Sequence, residues 1–214
     1  MMHIDIISCQ PKLLNSPLNH SIIKRAQEKN IVNIKIHDLR NFSLDKHKKV
    51  DDYAFGGGGG MVLQIEPIYR CIKNLKKKKK YDEIIFMTPD GNQLNQNLSN
   101  QLSLNKNLII LCGHYKGIDE RIREHIITKE ISIGDYVLTG GELPVMIFID
   151  AVSRQIKGVL GNKLSVEEKR ISSSEVYTRP EILEYKGKKY KVPKVLLSGH
   201  HKNIDNWRAR HSEN

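Results

Sequence analysis

Two glycine-containing loops are the segments of this sequence best suited to hold a small ligand. In Ser132–Glu142, three glycines flank an apolar and aromatic stretch ahead of a helical pattern. In Gly113–Arg121, glycines follow the end of the apolar run Leu108–Cys112. Because glycine allows a ligand to approach the backbone closely, two such loops side by side predict one pocket.

A third loop, Met87–Gly91, also follows an apolar run. Ligands of α/β proteins bind where parallel strands end, so the three loops are expected to meet at one edge of a sheet. None of them carries the GxGxxG fingerprint followed by a distant acidic residue, which argues against an ordinary dinucleotide site. Each loop taken alone is also compatible with a tight turn whose glycines serve backbone geometry.

The elements that must position these loops alternate along the chain. Apolar, β-rich runs predict strands at Ile4–Ser8, Ile31–His37, Glu83–Met87 and Leu108–Cys112, and helical spacing predicts helices at 18–30, 66–75, 94–102 and 142–156. This alternation predicts an α/β fold with a parallel sheet. In the last helix the expected core contacts are Leu143, Met146, Ile147, Ile149 and Val152. The run Lys76–Lys80 is interpreted as a solvated loop.

Composition narrows the class of protein. The chain has 214 residues and a net charge of +11, which favours a polyanionic partner such as a nucleic acid. A coding bias towards Lys, Asn and Ile would raise the charge without any binding role, and this alternative stays open. The three cysteines have no CxxC spacing, so reduced intracellular thiols are expected rather than disulfides or structural zinc. The first residues resemble neither a signal peptide nor a membrane anchor, and a cytoplasmic location is expected.

The paired loops, together with Gly158–Gly161, Tyr177–Pro180 and Ser198–His201, resemble the bacterial tRNA (guanine-N1)-methyltransferases of the SPOUT superfamily. The resemblance runs from Ile4 to about Arg210. It implies an enzyme that uses S-adenosylmethionine to methylate N1 of guanosine 37 of tRNA, just 3′ of the anticodon. It also implies a homodimer with its site between the subunits, and no membrane or DNA partner.

The resemblance further implies a domain arrangement. A knotted methyltransferase domain is expected over 1–160, with a deep C-terminal trefoil knot formed by the chain around 86–141. A flexible linker is expected over 161–175, followed by a small, mainly helical, tRNA-binding domain over 176–214 that is shorter than in relatives.

Site residues are carried over from the resemblance by position. Contacts with S-adenosylmethionine, largely through backbone groups, are implied for Thr88, Pro89, Gly113, Tyr115, Ser132, Ile133, Gly134, Tyr136, Leu138, Gly140 and Gly141. Arg154 is implied to meet the target guanine and to stabilise charge on O6 as N1 loses its proton.

The RNA side of the site is expected to use a second glycine feature, Phe55–Met61, in which relatives usually have proline at the position of Gly59. The alternative interpretation of this loop is a flexible surface turn. The predicted RNA contacts are Lys46, His47, Lys49, Gly58, Gly59, Arg208 and Arg210.

The general base departs from the pattern of relatives. They carry an aspartate in the linker after Ser-x-x-Glu, whereas this chain reads Ser165-Val-Glu-Glu-Lys169. Lysine with an ordinary pKa is not a base at neutral pH. Glu168 is therefore taken as a substitute base, with Glu167 and the more distant Glu175 as alternatives.

A second departure concerns magnesium. Lys116 stands where many relatives have a glutamate that is linked to metal dependence, so the resemblance leaves magnesium open and no protein metal ligand is expected. Two other functions stay open as well. One is a SPOUT-fold RNA-binding protein that has lost activity, and the other is a SPOUT methyltransferase acting on another RNA site, which Tyr177-Thr-Arg-Pro180 argues against.

Overall fold

The computed structural model describes residues 1–161 and 175–210, without the side chain of Arg210. The chain divides into two compact units, Met1–Glu168 and Lys169–Asn214, which are treated separately below. No helix within the described ranges is long and apolar enough to cross a membrane.

The first unit alternates strands and helices. In chain order its elements are β1 (Met2–Ser8), α1 (Asn15–Leu18), α2 (Ser21–Glu28), β2 (Val32–Asp38), β3 (Asp51–Tyr53), β4 (Met61–Leu63), α3 (Ile65–Lys78), β5 (Glu83–Gln93), α4 (Gln96–Leu102), β6 (Asn107–Cys112), α5 (Glu120–His125), β7 (Lys129–Ser132) and α6 (Glu142–Ser153). Short 3-10 helices occupy Pro11–Leu14 and Leu39–Phe42.

Five of these strands form the central sheet, in the order β2-β1-β6-β5-β7, and every pairing in it is parallel. The predicted strands correspond to β1, β2, β5 and β6, so the expectation of a parallel α/β fold is confirmed. Strand β7 and the antiparallel hairpin of β3 and β4 were not predicted. These strands are only three or four residues long, which is too short to display a clear period.

Side chains on both faces of the sheet are buried. Along β6, Leu108 and Ile110 enter one apolar cluster, while Ile109 and Leu111 enter the other. Helices α2, α4 and α6 contribute to the first cluster, and α3 and α5 contribute to the second. Helices on both faces explain why the central strands read as continuous apolar runs rather than as alternating patterns.

Two predictions about helices were right only in part: the expected core contacts Met146, Ile149 and Val152 pack in the core, and α2 lies within 18–30. In α6 the buried side chains include Val145, Phe148, Ile149 and Val152, whereas Leu143 is 59% exposed and Ile147 is 48% exposed. This helix is apolar on most sides, so its period does not show which face packs against the core. The predicted helix over 18–30 is interrupted, since α1 ends at Leu18 and α2 begins at Ser21.

The lysine run is also not a loop throughout. Helix α3 continues to Lys78, so three lysines occupy its last turn, where positive charge is favourable to the helix dipole. The next residue, Lys79, is an ion-pair partner of a buried carboxylate: its Nζ lies 3.0 Å from Oδ2 of Asp5.

Asp5 is a buried charged group in the middle of β1, with 3% of its surface exposed. Its Oδ1 lies 2.7 Å from Nε2 of His37, and its Oδ2 accepts a hydrogen bond from the Tyr81 hydroxyl at 2.8 Å. Burial alone would raise the pKa of Asp5, but the hydrogen bonds from His37, Tyr81 and Lys79 outweigh burial and hold it well below the ordinary value. The carboxylate therefore links three segments of the first unit.

Replacing Asp5 by Asn is expected to lower the free energy of unfolding by about 2–4 kcal/mol, because His37 and Lys79 lose a buried anion. Urea denaturation of Asp5→Asn beside the exposed control Asp52→Asn measures this difference. Because the folded-state pKa of Asp5 is depressed, the stabilisation is complete above the unfolded pKa of about 3.9 and is lost as the pH falls towards the folded value. The difference from wild type should therefore shrink below about pH 4; a difference independent of pH would contradict the assignment.

The second unit contains a hairpin and two helices. Its elements are β8 (Ile182–Tyr185), β9 (Lys188–Lys191), α7 (Lys194–Leu197) and α8 (His201–Arg210). The two hairpin strands are antiparallel and are joined by Lys186 and Gly187, both with positive φ, as two-residue turns of this kind require. A small, mainly helical domain was expected here, and the hairpin was not predicted.

Candidate active site

Three loops, one within β5 and the others directly after β6 and β7, enclose a cavity of about 270 Å³. Its lining includes all eleven residues expected to contact a donor: Thr88, Pro89, Gly113, Tyr115, Ser132, Ile133, Gly134, Tyr136, Leu138, Gly140 and Gly141. Several other lining residues were not predicted as donor contacts, among them Asp90, His114, Lys116, Val137, Thr139 and Pro144. The structure therefore brings the predicted donor residues together in one pocket.

The first of these loops is an excursion from a strand. Met87 and Asn92 both pair with Ile131 of β7, so Thr88–Gly91 leave the ladder between them. A Cβ atom on Gly91 would lie 2.4 Å from the backbone nitrogen of Ile131, which explains glycine at this position. This local break carries Thr88 and Pro89 into the pocket wall.

The other two loops pack directly on each other. The N–H of Gly141 donates to the carbonyl of Gly113 at 2.7 Å, and His114 and Gly140 form an isolated β-bridge. A Cβ on Gly141 would lie 2.6 Å from the Gly113 nitrogen and 2.7 Å from Cα of Cys112. Glycine at 141 is therefore required by contact between the loops, in addition to any contact with a ligand.

The pocket offers apolar and aromatic side chains beside backbone polar groups. The ring of Tyr136 covers Gly134, since a Cβ there would lie 2.3 Å from Cε1 of the ring. The hydroxyl of Ser132 donates to the carbonyl of Gly134 at 2.9 Å and shapes the turn. Leu138 and Ile133 supply apolar wall. Such a lining suits a flat heteroaromatic group whose edge meets backbone donors and acceptors.

A buried polar cluster connects the pocket wall to β1. The carboxylate of Glu142 is 2% exposed and accepts a 2.6 Å hydrogen bond from the Ser8 hydroxyl. Its second oxygen lies 3.9 Å from Nε2 of His114. Cys9 belongs to the same cluster, with polar atoms of Cys9, His114 and Glu142 within 4.8 Å of one another. Sequence reasoning missed this cluster, although Glu142 directly follows the glycine pair.

The thiol of Cys9 is poorly suited to bind a metal in this arrangement. Burial raises its pKa to about 11, and the negative charge of Glu142 contributes to the same direction. At neutral pH the group is therefore a thiol rather than the thiolate that metals bind. The cluster is best described as a set of polar contacts that holds the loop after β6 against the start of α6.

The glycine-rich segment connects β3 to β4 and reaches the pocket rim. A Cβ on Gly60 would lie 3.1 Å from Cε of Lys116, and one on Gly58 would lie 3.8 Å from its Nζ. Gly59 stands in open space between them. Lys46, His47 and Lys49 lie in the preceding exposed loop. In this loop the Asp45 carboxylate accepts hydrogen bonds from the backbone N–H groups of His47 and Lys49.

Arg154 is not in this pocket. It is exposed at the C-cap of α6, whereas Gly141 and Pro144, at the start of that helix, line the pocket. At 1.5 Å per residue, the Cα atoms of Glu142 and Arg154 are about 18 Å apart, which exceeds the reach of an arginine side chain. Arg154 therefore cannot serve the pocket of its own chain in this conformation.

The remaining predicted residues lie elsewhere. Arg208 lines a separate cleft within the second unit, together with Tyr177 and Arg179. Glu168, like Glu167 and Lys169, lies outside the described residues, as does the side chain of Arg210. Glu175, the distant alternative base, accepts a 3.0 Å hydrogen bond from the Tyr177 hydroxyl.

Comparison with known proteins identifies the family. The sequence profile described as "tRNA (Guanine-1)-methyltransferase TrmD" matches residues 2–214. The chain belongs to this family. It is 55% identical over 215 residues to the tRNA (guanine-N(1)-)-methyltransferase of Azobacteroides pseudotrichonymphae, a match covering 99% of this chain and 95% of that protein. It is 56% identical over 211 residues to the family member from Porphyromonas gingivalis, covering 97% and 92%.

A solved structure of the family has the same fold. The crystal structure of tRNA (m1G37) methyltransferase from Aquifex aeolicus matches with a TM-score of 0.82 and 38% identity, over 98% of this chain and 88% of that one. Family membership confirms the resemblance drawn from the glycine loops. The roles of individual site residues stay predictions.

Replacing Gly141 by Ala is expected to reduce affinity for S-adenosylmethionine at least about tenfold, because the added Cβ separates the two loops that form one wall of the pocket. Isothermal titration calorimetry measures the affinity, and circular dichroism checks the fold. Gly161→Ala is the matched control, since a Cβ there meets no atom within 4 Å. Equal affinities in the two variants would contradict the importance of this contact.

Proposed function

We propose that the chain transfers a methyl group from S-adenosylmethionine to N1 of guanosine 37 in tRNA. The observation that carries this proposal is the convergence of three loops on one pocket, lined by all eleven predicted donor residues, in a chain of the tRNA (guanine-1)-methyltransferase family. The names of its relatives specify the base, and the name of the Aquifex aeolicus enzyme specifies position 37.

The pocket residues fit the chemistry of this donor. When bound, S-adenosylmethionine supplies an electrophilic methyl group on a sulfonium, and transfer is an in-line displacement by the guanine N1. The chain's task is to hold donor and acceptor in line and to remove the N1 proton. In our proposal Ile133, Tyr136 and Leu138 enclose the adenine, while backbone groups of the loops at Gly113 and Gly140 hold its polar edge.

The acceptor side of the site is proposed to come from a second copy of the chain. Pro144, the residue of α6 nearest to Arg154 that lines the pocket, is about 15 Å from it along the helix, so the proposed contact with guanine requires another subunit. The exposed face of the same helix carries Leu143 and Ile147. Leu143, Ile147 and Arg154 are four and seven residues apart, which places them on one side of the helix. A homodimer that covers this apolar face would bring Arg154 to the interface.

Within that dimer, each polar group has a proposed role. Arg154 stabilises negative charge on O6 as N1 is deprotonated. Glu168 of the linker accepts the N1 proton, with Glu167 and the more distant Glu175 as alternatives. The RNA contacts are proposed at the glycine hairpin and in basic segments: Lys46, His47, Lys49, Gly58, Gly59, Arg208 and Arg210.

The proposal includes the topology and domain division expected from the resemblance. A trefoil knot over 86–141 is proposed from the resemblance; within this range the backbone packs closely at Gly91 against Glu130 and Ile131 and at Gly141 against Cys112 and Gly113. The functional parts are the methyltransferase domain 1–160, the linker 161–175 and the tRNA-binding domain 176–214.

The activity is tested with radiolabelled S-adenosylmethionine and two tRNAs that differ only in having G or A at position 37. Methyl incorporation is expected into the G37 tRNA alone. Equal incorporation into both would contradict the assigned position. Incorporation into neither, with tRNA binding that weakens steeply with salt, would indicate an RNA-binding protein without activity.

The proposed base is tested separately. Glu168→Ala is expected to lower the rate of methyl transfer about 100-fold or more, since a general base contributes a factor of this size. Single-turnover kinetics at saturating tRNA measures the rate, and Glu167→Ala is measured in parallel, because a larger loss there would assign the base to Glu167. Full activity in Glu168→Ala would eliminate this residue as the base.

The shared site is tested by mixing two impaired variants at an S-adenosylmethionine concentration too low to occupy the pocket of Gly141→Ala. Arg154→Ala keeps an intact donor pocket, and Gly141→Ala keeps an intact arginine, so a mixed dimer holds one complete site. After refolding of an equal mixture, about a quarter of wild-type activity is expected, because half of the dimers are mixed and each has one working site of two. A mixture that stays inactive, while mass spectrometry shows mixed dimers, would contradict a site built from two subunits.

A further inference from the structure

Lys116 lies on the pocket wall in a position fixed by backbone contacts. Its N–H donates to the carbonyl of Met61 at 3.0 Å, and the next residue, Gly117, donates to the carbonyl of His114 at 3.0 Å. The carbonyl of Gly117 in turn accepts from Leu63 at 3.0 Å. These bonds attach the loop after β6 to strand β4, so the Cα of Lys116 is held between the donor loops and the glycine hairpin.

The side chain of Lys116 runs along the glycine hairpin. A Cβ on Gly60 would lie 3.1 Å from its Cε and 3.3 Å from its Cγ, and a Cβ on Gly58 would lie 3.8 Å from its Nζ. A side chain at Gly60 would crowd the lysine, whereas a Cβ at Gly58 would be at ordinary contact distance. The glycines thus leave a path along which the ammonium group extends at the rim of the cavity.

The charge of Lys116 is not balanced by the protein. None of the ion pairs formed within residues 1–161 and 175–210 includes it. Three acidic side chains of this region have other partners: Asp90 lies 3.6 Å from Arg123, Glu142 accepts a hydrogen bond from Ser8, and Asp51 interacts with Tyr115. The pocket therefore presents a cation that is available to an anionic part of a ligand.

We propose that Lys116 binds the carboxylate of the methionine portion of S-adenosylmethionine and so selects donors that carry it. This inference rests on the proposed function, because it takes the donor as the occupant of the pocket. That carboxylate is the donor's one anionic group at neutral pH, and the ammonium of lysine is a suitable point charge for it. Lys116 shares its loop with Gly113 and Tyr115, two residues of the proposed donor site, which favours the donor over RNA as the source of the anion.

The inference is tested by measuring affinities for S-adenosylmethionine and for its decarboxylated analogue, which keeps the adenosine, the sulfonium and the amine. The proteins are wild type, Lys116→Met, and Lys106→Met as a matched control. Lys106 is an exposed lysine immediately before β6, at the opposite end of that strand from the pocket. Isothermal titration calorimetry gives both affinities, and circular dichroism confirms that each variant is folded.

Wild type and Lys106→Met are expected to bind S-adenosylmethionine at least about tenfold more tightly than the decarboxylated analogue. Lys116→Met should lose this preference through weaker binding of S-adenosylmethionine, with binding of the analogue unchanged or improved. An unchanged preference in Lys116→Met would overturn the inference, and weaker binding of tRNA alone would assign the lysine to an RNA phosphate instead. Failure of wild type to bind S-adenosylmethionine at all would overturn the proposed function itself.

Discussion

The contact between Gly141 and the backbone of Cys112 and Gly113 is the constraint on which the site depends. It brings the loop before α6 against the loop after β6 at a distance that no side chain permits. The 2.7 Å hydrogen bond from Gly141 to Gly113 fixes the two loops in register. This contact positions the pocket-lining residues of the loop after β6 and of the loop before α6. The buried cluster of Ser8, Glu142 and His114 stabilises this contact, because it connects the start of α6 to the end of β1 and to the loop after β6.

Backbone contacts also bring the proposed donor pocket next to the hairpin that is proposed to contact RNA. Strand β6 ends at Cys112, and the loop that follows it reaches β4 through Lys116 and Gly117. The glycine hairpin is therefore attached to the donor pocket by backbone bonds, although it is distant from the pocket in sequence. In the proposed dimer, the partner would add Arg154 from the far end of its own α6. In that dimer, one subunit would bind the donor, and catalysis would require residues from both subunits.

Much of the fold and the pocket could be predicted from sequence, because both depend on local signals. Apolar runs such as Leu108–Cys112 are strands buried on both faces, and the glycines after them mark close backbone contacts. Features that depend on tertiary pairing were missed. Asp5 and Lys79 are 74 residues apart, and Ser8 and Glu142 are 134 apart, so no local pattern connects them. The prediction of which side of α6 faces the core was partly wrong, because a helix that is apolar on most sides gives no pattern that separates buried from exposed side chains.

The central claim is that these three loops form the site of S-adenosylmethionine. A crystal structure of the protein with S-adenosylhomocysteine, the product that the donor becomes, tests it most directly. We expect density for the adenosine between the loops at Gly113 and Gly140, with the homocysteine carboxylate directed towards Lys116. Density for this molecule at any other position, with the pocket between β5, β6 and β7 left empty, would contradict it.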